Sequence, residues 1–81
     1  MKATARWTRI RPGAFGPLLD EGACMSCGFR LREGDPAVVV GEEVVRDGMI
    51  ICCSWRCARE MVSYHNREAP PSWQLEVAWS E

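Results

Sequence analysis

The chain has 81 residues, among them five cysteines and four tryptophans, and a formal net charge of −1. That length allows one domain, and so small a net charge gives no bulk attraction to a polyanion or an anionic membrane. No stretch approaches the roughly 18 consecutive apolar residues of a membrane span. The amino-terminal stretch also lacks the apolar run of a secretory signal, so a reducing cytoplasm is the expected compartment.

Residues 3 to 10, ATARWTRI, mix β-branched, aromatic and basic side chains and suggest a short strand or ordered arm. Charge is unevenly spread: Lys2, Arg6, Arg9 and Arg11 fall in the first twelve residues with no acid among them. Pro12-Gly13 and Gly16-Pro17 then break the chain into a loop, which Leu18 and Leu19 are placed to pin. Cys24 and Cys27, followed at once by Gly28, form a tight turn, because glycine accepts the positive φ such a turn needs. Ala37 to Val40 is a strand by its β-branched content, ended by Gly41. Arg46-Asp47-Gly48, between two apolar β-prone runs, signals a hairpin.

Ser54 is a good N-cap, and Trp55 to Asn66 runs without proline or glycine. Trp55, Ala58, Met61, Val62 and His65 share one face at helical spacing, and Asn66 is a suitable C-terminal cap. After the rigid connector Ala69 to Ser72, the alternation Trp73, Leu75, Val77, Trp79 predicts a half-buried strand.

The cysteines fall as C-x2-C at Cys24 and Cys27 and C-x3-C at Cys53 and Cys57, bracketing the hairpin and the helix start. An odd number of thiols does not suit a disulfide framework. Four thiolates in two close pairs suit tetrahedral Zn²⁺, and they leave no open position for water or substrate, so the ion is structural. A domain this small draws only a few kcal/mol from its core, whereas structural zinc contributes about 10–16 kcal/mol, so folding is expected to need the metal. Cys52 is the alternative ligand. Strand neighbours face opposite sides, so if Cys53 faces the ion, Cys52 faces the core, and Ser54 follows Cys53 directly as the cap. Buried filler cysteines or a Cys-Met-Ser-Cys redox pair are the competing readings. The residues after Cys27 do not form the helix start that redox chemistry expects.

Turn, hairpin and helix in this order describe a treble-clef zinc finger, an α+β fold of zinc knuckle, β-hairpin and helix, here with additional terminal strands. Within that group, CMSCGFRLREGD and ICCSWRCAREM resemble the TRASH, YHS and MYM-type finger superfamily, and more loosely half of a LIM domain. Cys24, Cys27, Gly28, Cys53, Ser54 and Cys57 carry the resemblance, over roughly residues 24 to 61. It implies binding of zinc or another soft metal, and roles in protein interaction, transcription control or metal handling. The chain divides accordingly into a basic arm and loop (1–23), a zinc-binding core (24–66) and a connector with a packed carboxy-terminal strand (67–81).

His65, the only histidine, lies about two turns beyond Cys57, too far to share its ion. Trp55, at the helix start, is placed to cover the metal. Trp73 and Trp79 are read as core residues, with an exposed partner-binding patch as the alternative. Trp7 among Arg6, Arg9 and Arg11 would suit phosphate and base contacts, or a solvated strand with arginine stems on the indole. No catalytic constellation and no phosphate-binding glycine loop is present, so the expected function is non-enzymatic. The favoured partner is another protein, with no small-molecule substrate and no membrane. Nucleic-acid binding through the arginine-rich arm and soft-metal sensing or handling are the alternatives. Size and composition suit a bacterial or phage regulatory protein.

Overall fold

The computed structural model describes residues 2–41 and 50–81. The hairpin turn expected at Arg46-Asp47-Gly48 lies outside them. In chain order the elements are β1 (Lys2–Arg9), β2 (Glu21–Ala23), β3 (Arg30–Arg32), β4 (Pro36–Gly41), β5 (Ile50–Cys52), α1 (Trp55–Glu68), a 3-10 turn (Pro71–Trp73) and β6 (Glu76–Ser80). A four-stranded sheet runs β5-β4-β1-β6, and β2 and β3 form a separate two-stranded ladder. The molecule is thus a small α+β domain.

β1 is an interior strand of the sheet. It pairs antiparallel with β4 and parallel with β6. Alternation does the sorting: Ala3 and Ala5 are buried while Lys2 and Arg6 face solvent. Directly paired residues share a face, so Ala5, Val40 and Trp79 form one row and Val38 and Cys52 another. The helix packs against this face. Ala58 and Val62 enter the buried cluster of Ala5, Val38, Val40 and Cys52. Antiparallel pairing of Val38 with Cys52 and Val40 with Ile50 is the pairing a β4–β5 hairpin requires.

Three local expectations need correction. Leu18 and Leu19 do not pin the loop: they are 94% and 59% exposed. Phe15 does that work, lying so close to Gly22 that a Cβ there would meet its ring at 2.4 Å, and the Gly13 N–H donates to Glu33 Oε1 at 2.8 Å. The helix also runs past Asn66 to Glu68, with Ala69 as its cap. Finally, Trp73 is not a strand residue. The two prolines before it set up a 3-10 turn, closed by the Trp73 N–H to Pro70 carbonyl bond of 2.8 Å, and leave its side chain 63% exposed. The half-buried alternation survives only in Leu75, Val77 and Trp79.

Candidate metal centre

The first cysteine pair sits in the turn joining β2 to β3. The Cys24 N–H donates to the Phe29 carbonyl at 2.8 Å, the Gly28 N–H donates back to the Cys24 carbonyl at 3.0 Å, and Gly28 takes φ +81°. A β-carbon would resist that conformation, which is why glycine follows the second cysteine. The Met25 N–H donates to the Ile51 carbonyl at 3.1 Å, fastening the turn to the outer edge of β5 beside the second pair.

The second pair is placed by the end of β5 and the start of α1. Ser54 is extended, and its hydroxyl accepts from the Cys57 N–H at 3.2 Å. Cys53 and Cys57 thereby bracket the cap at the amino-terminal end of the helix.

Four sulfurs converge. The Sγ atoms of Cys24, Cys27, Cys53 and Cys57 all lie within 4.8 Å of one another. Cys27 and Cys53 are 3.5 Å apart, and Cys53 and Cys57 3.8 Å. A tetrahedron with metal–sulfur bonds of about 2.3 Å has edges of about 3.8 Å, so two of the measured separations match an edge and the group as a whole is close enough to hold one ion. Cys24 and Cys57 are buried, Cys53 half-buried and Cys27 exposed.

The electrostatics are those of a thiolate cradle. Burial pushes the Cys24 thiol up, but backbone N–H groups of Cys27, Cys53 and Ser26 point at its sulfur and outweigh it, bringing it down to about 6. One of those donors belongs to the other pair, so the two halves of the site support one charge. Cys53 moves the other way: burial and thiol contacts with Cys27, Cys57 and Cys24 push it up to about 12. Without a cation, the cluster holds charge on Cys24 and keeps Cys53 protonated.

Cys52 stands outside the tetrahedral group. It is 0% exposed and lies within the apolar core between sheet and helix. Burial first, and the nearby Cys24 charge second, push its thiol up to about 12. One peptide bond separates a core residue from a site residue: β5 ends at Cys52, and Cys53 lies just past it, in the bend that leads to the helix cap.

The remaining sequence candidates do not enter the sulfur cluster. His65 Nε2 is 2.9 Å from the Trp73 carbonyl, where it steadies the 3-10 turn. Trp55 meets Trp79 edge-on with ring centroids 6.3 Å apart, and Arg59 lies 4.3 Å above the Trp79 ring. Arg59 also pairs with Glu81. Trp7, Arg6, Arg9 and Arg11 are exposed, and Arg9 donates to the Gly34 carbonyl at 3.0 Å. Among the described residues none of these three arginines enters an ion pair, and no helix is long and apolar enough to cross a membrane.

Sequence reasoning missed the clamp that holds the carboxy-terminal strand. The Leu75 N–H donates to Asn66 Oδ1 at 2.7 Å, and Asn66 Nδ2 donates to the Leu75 carbonyl at 3.1 Å. An asparagine ahead of a proline-rich connector carried the signal, but it is also what a helix cap looks like.

A scan against protein-family models, a search of curated proteins and a search of solved structures each returned no match.

Proposed function

We propose that this chain is a single-zinc treble-clef domain acting as a non-catalytic protein-interaction module. The observation that carries the reading is the convergence of four cysteine sulfurs, from a β-turn and from a strand–helix junction, to within 4.8 Å of one another. The order of elements supports the fold name: a cysteine turn on a short ladder, an antiparallel strand pair, then a helix whose first turn supplies the last ligand. Zinc is the ion of choice, because four thiolates suit a borderline-soft cation with no geometric demand of its own. With Cys24, Cys27, Cys53 and Cys57 all engaged, the ion is structural, as in the TRASH, YHS and MYM-type fingers the sequence resembles.

Interaction rather than chemistry follows from what surrounds the site. All four ligand positions are thiolates, and the exposed large side chains Met25, Phe29, Trp7 and Trp73 are contact-forming rather than catalytic. The test is capture of a protein partner by zinc-loaded chain, run beside a Trp73→Ala variant and a chelated sample. Partner recovery should need both the metal and Trp73. Recovery that is indifferent to metal removal contradicts the reading. A second reading, nucleic-acid binding, rests on exposed Lys2, Arg6 and Arg11, which have no ion-pair partners among the described residues. It requires an affinity that falls steeply with salt and drops in Arg6→Ala and Arg11→Ala.

A further inference from the structure

The two edges of the main sheet are finished differently. At the β5 edge the Ile51 carbonyl is taken by the Met25 N–H, so the cysteine turn closes that side. β6 forms the other edge. It is bonded to β1 on one side, and among the described residues no strand lies on the other. Natural edge strands are guarded by lysine, proline, a bulge or a covering loop. β6, EVAWS, has no lysine, proline or glycine, and its only charge is at its first position. It is a five-residue ladder template left open.

Its sequence selects its own copy. In an antiparallel pair about a two-fold axis through Ala78, Glu76 meets the partner's Ser80, Val77 meets the partner's Trp79, and Ala78 meets Ala78. This is the two-fold register that matches all five residues and keeps like faces together. On the helix face, half-buried Val77 and Trp79 each gain an apolar cross-strand neighbour. On the other face the charges interlock. Lys2 pairs with Glu76 and Arg6 with Ser80 within one chain, so the row across the junction reads Lys2, Glu76, the partner's Ser80, the partner's Arg6. Strands are spaced about 4.8 Å apart, so Glu76 and the partner's Arg6 are about 10 Å apart at their Cα atoms, within reach across a short serine. The chain's own Arg6 lies about 13 Å along the strand from that row. Exposed Arg6 has no ion-pair partner among the described residues, and a second copy brings a carboxylate within its reach.

Resting on the interaction-module reading, we infer that β6 is a homodimerisation edge, joining two copies through antiparallel β6 pairing about Ala78 into one continuous sheet. The contact is small, so the dimer is a reversible one.

Sedimentation equilibrium of the zinc-loaded chain tests this. The mass should rise from 9.1 kDa toward twice that value between about 10 µM and about 1 mM, as suits an interface at the low end of specific contacts. Ala78→Arg, at an exposed position, sets like charges face to face on the axis and should hold the chain at single mass throughout, with ellipticity and zinc content unchanged. Arg6→Glu or Glu76→Arg alone should weaken association about fivefold, since each removes two symmetric exposed pairs, and the double exchange should restore it. A single-chain mass up to about 1 mM, a dimer unaffected by Ala78→Arg, or a double exchange no better than the single variants overturns the dimer. The mass decides the dimer whatever the metal content; zinc per chain, measured on the same samples, decides the reading beneath it.

Discussion

Adjacent cysteines at 52 and 53 should respond to the same substitution in opposite ways. Cys52 is fully enclosed by sheet and helix, whereas the Cys53 sulfur is 3.5 Å from Cys27 and 3.8 Å from Cys57. Cys52→Ala deletes one methyl-sized group from the core and should cost about 1 kcal/mol. In a domain this small that is a urea midpoint lower by about 1 M, with zinc still bound one to one. Cys53→Ala removes one of four ligands. A quarter of about 10–16 kcal/mol is about 3–4 kcal/mol, or two to three orders of magnitude in metal affinity. Competition against a chromophoric chelator reads the affinity, and circular dichroism in urea reads the stability. The reasoning fails if Cys52→Ala weakens metal binding more than about tenfold, or if Cys53→Ala binds within about threefold of the native chain.

Two further outcomes are expected. Asn66→Ala breaks both bonds to the Leu75 backbone, and at about 1 kcal/mol each should cost about 2 kcal/mol while leaving zinc stoichiometry untouched; an unchanged urea midpoint would show that the clamp does not hold β6. In chelator-treated protein, the surviving structure should be greatest near pH 9. Cys24 is lowered from 9.0 to about 6, so its contribution is complete above pH 9 and is lost as pH falls toward 6. Cys52 and Cys53 are raised from 9.0 to about 12, so theirs is complete below pH 9 and is lost as pH rises toward 12. Ellipticity of the metal-free chain that declines steadily from pH 6 to 9 would contradict the cradle around Cys24.

The local chemistry was legible because each signal acts over a few residues. Gly28 follows the second cysteine because only a residue without Cβ sits easily at φ +81°, and Ser54 caps because its hydroxyl reaches the Cys57 N–H. The choice of Cys53 over Cys52 was legible from the cap at Ser54, although β5 ends at Cys52 and its three residues are all buried. What depends on distant pairing was not legible. β1 lies inside the sheet because β6, more than sixty residues away, returns parallel to it, and parallel pairing leaves no turn signature in the sequence. Trp73 matched the alternation of the last strand, but the Pro70-Pro71 pair set the backbone first and turned the indole outward. Leu18 and Leu19 were as apolar as Phe15, yet only Phe15 faces a glycine that leaves room for its ring.

Metal content of natively purified protein, read by elemental analysis with circular dichroism before and after chelation, tests the central claim most directly. One zinc per chain, with most of the helix and sheet signal lost and cooperative unfolding abolished once the zinc is stripped, is the expected result. Protein that carries no stoichiometric metal, or that stays cooperatively folded with Cys24, Cys27, Cys53 and Cys57 all changed to serine, would contradict it.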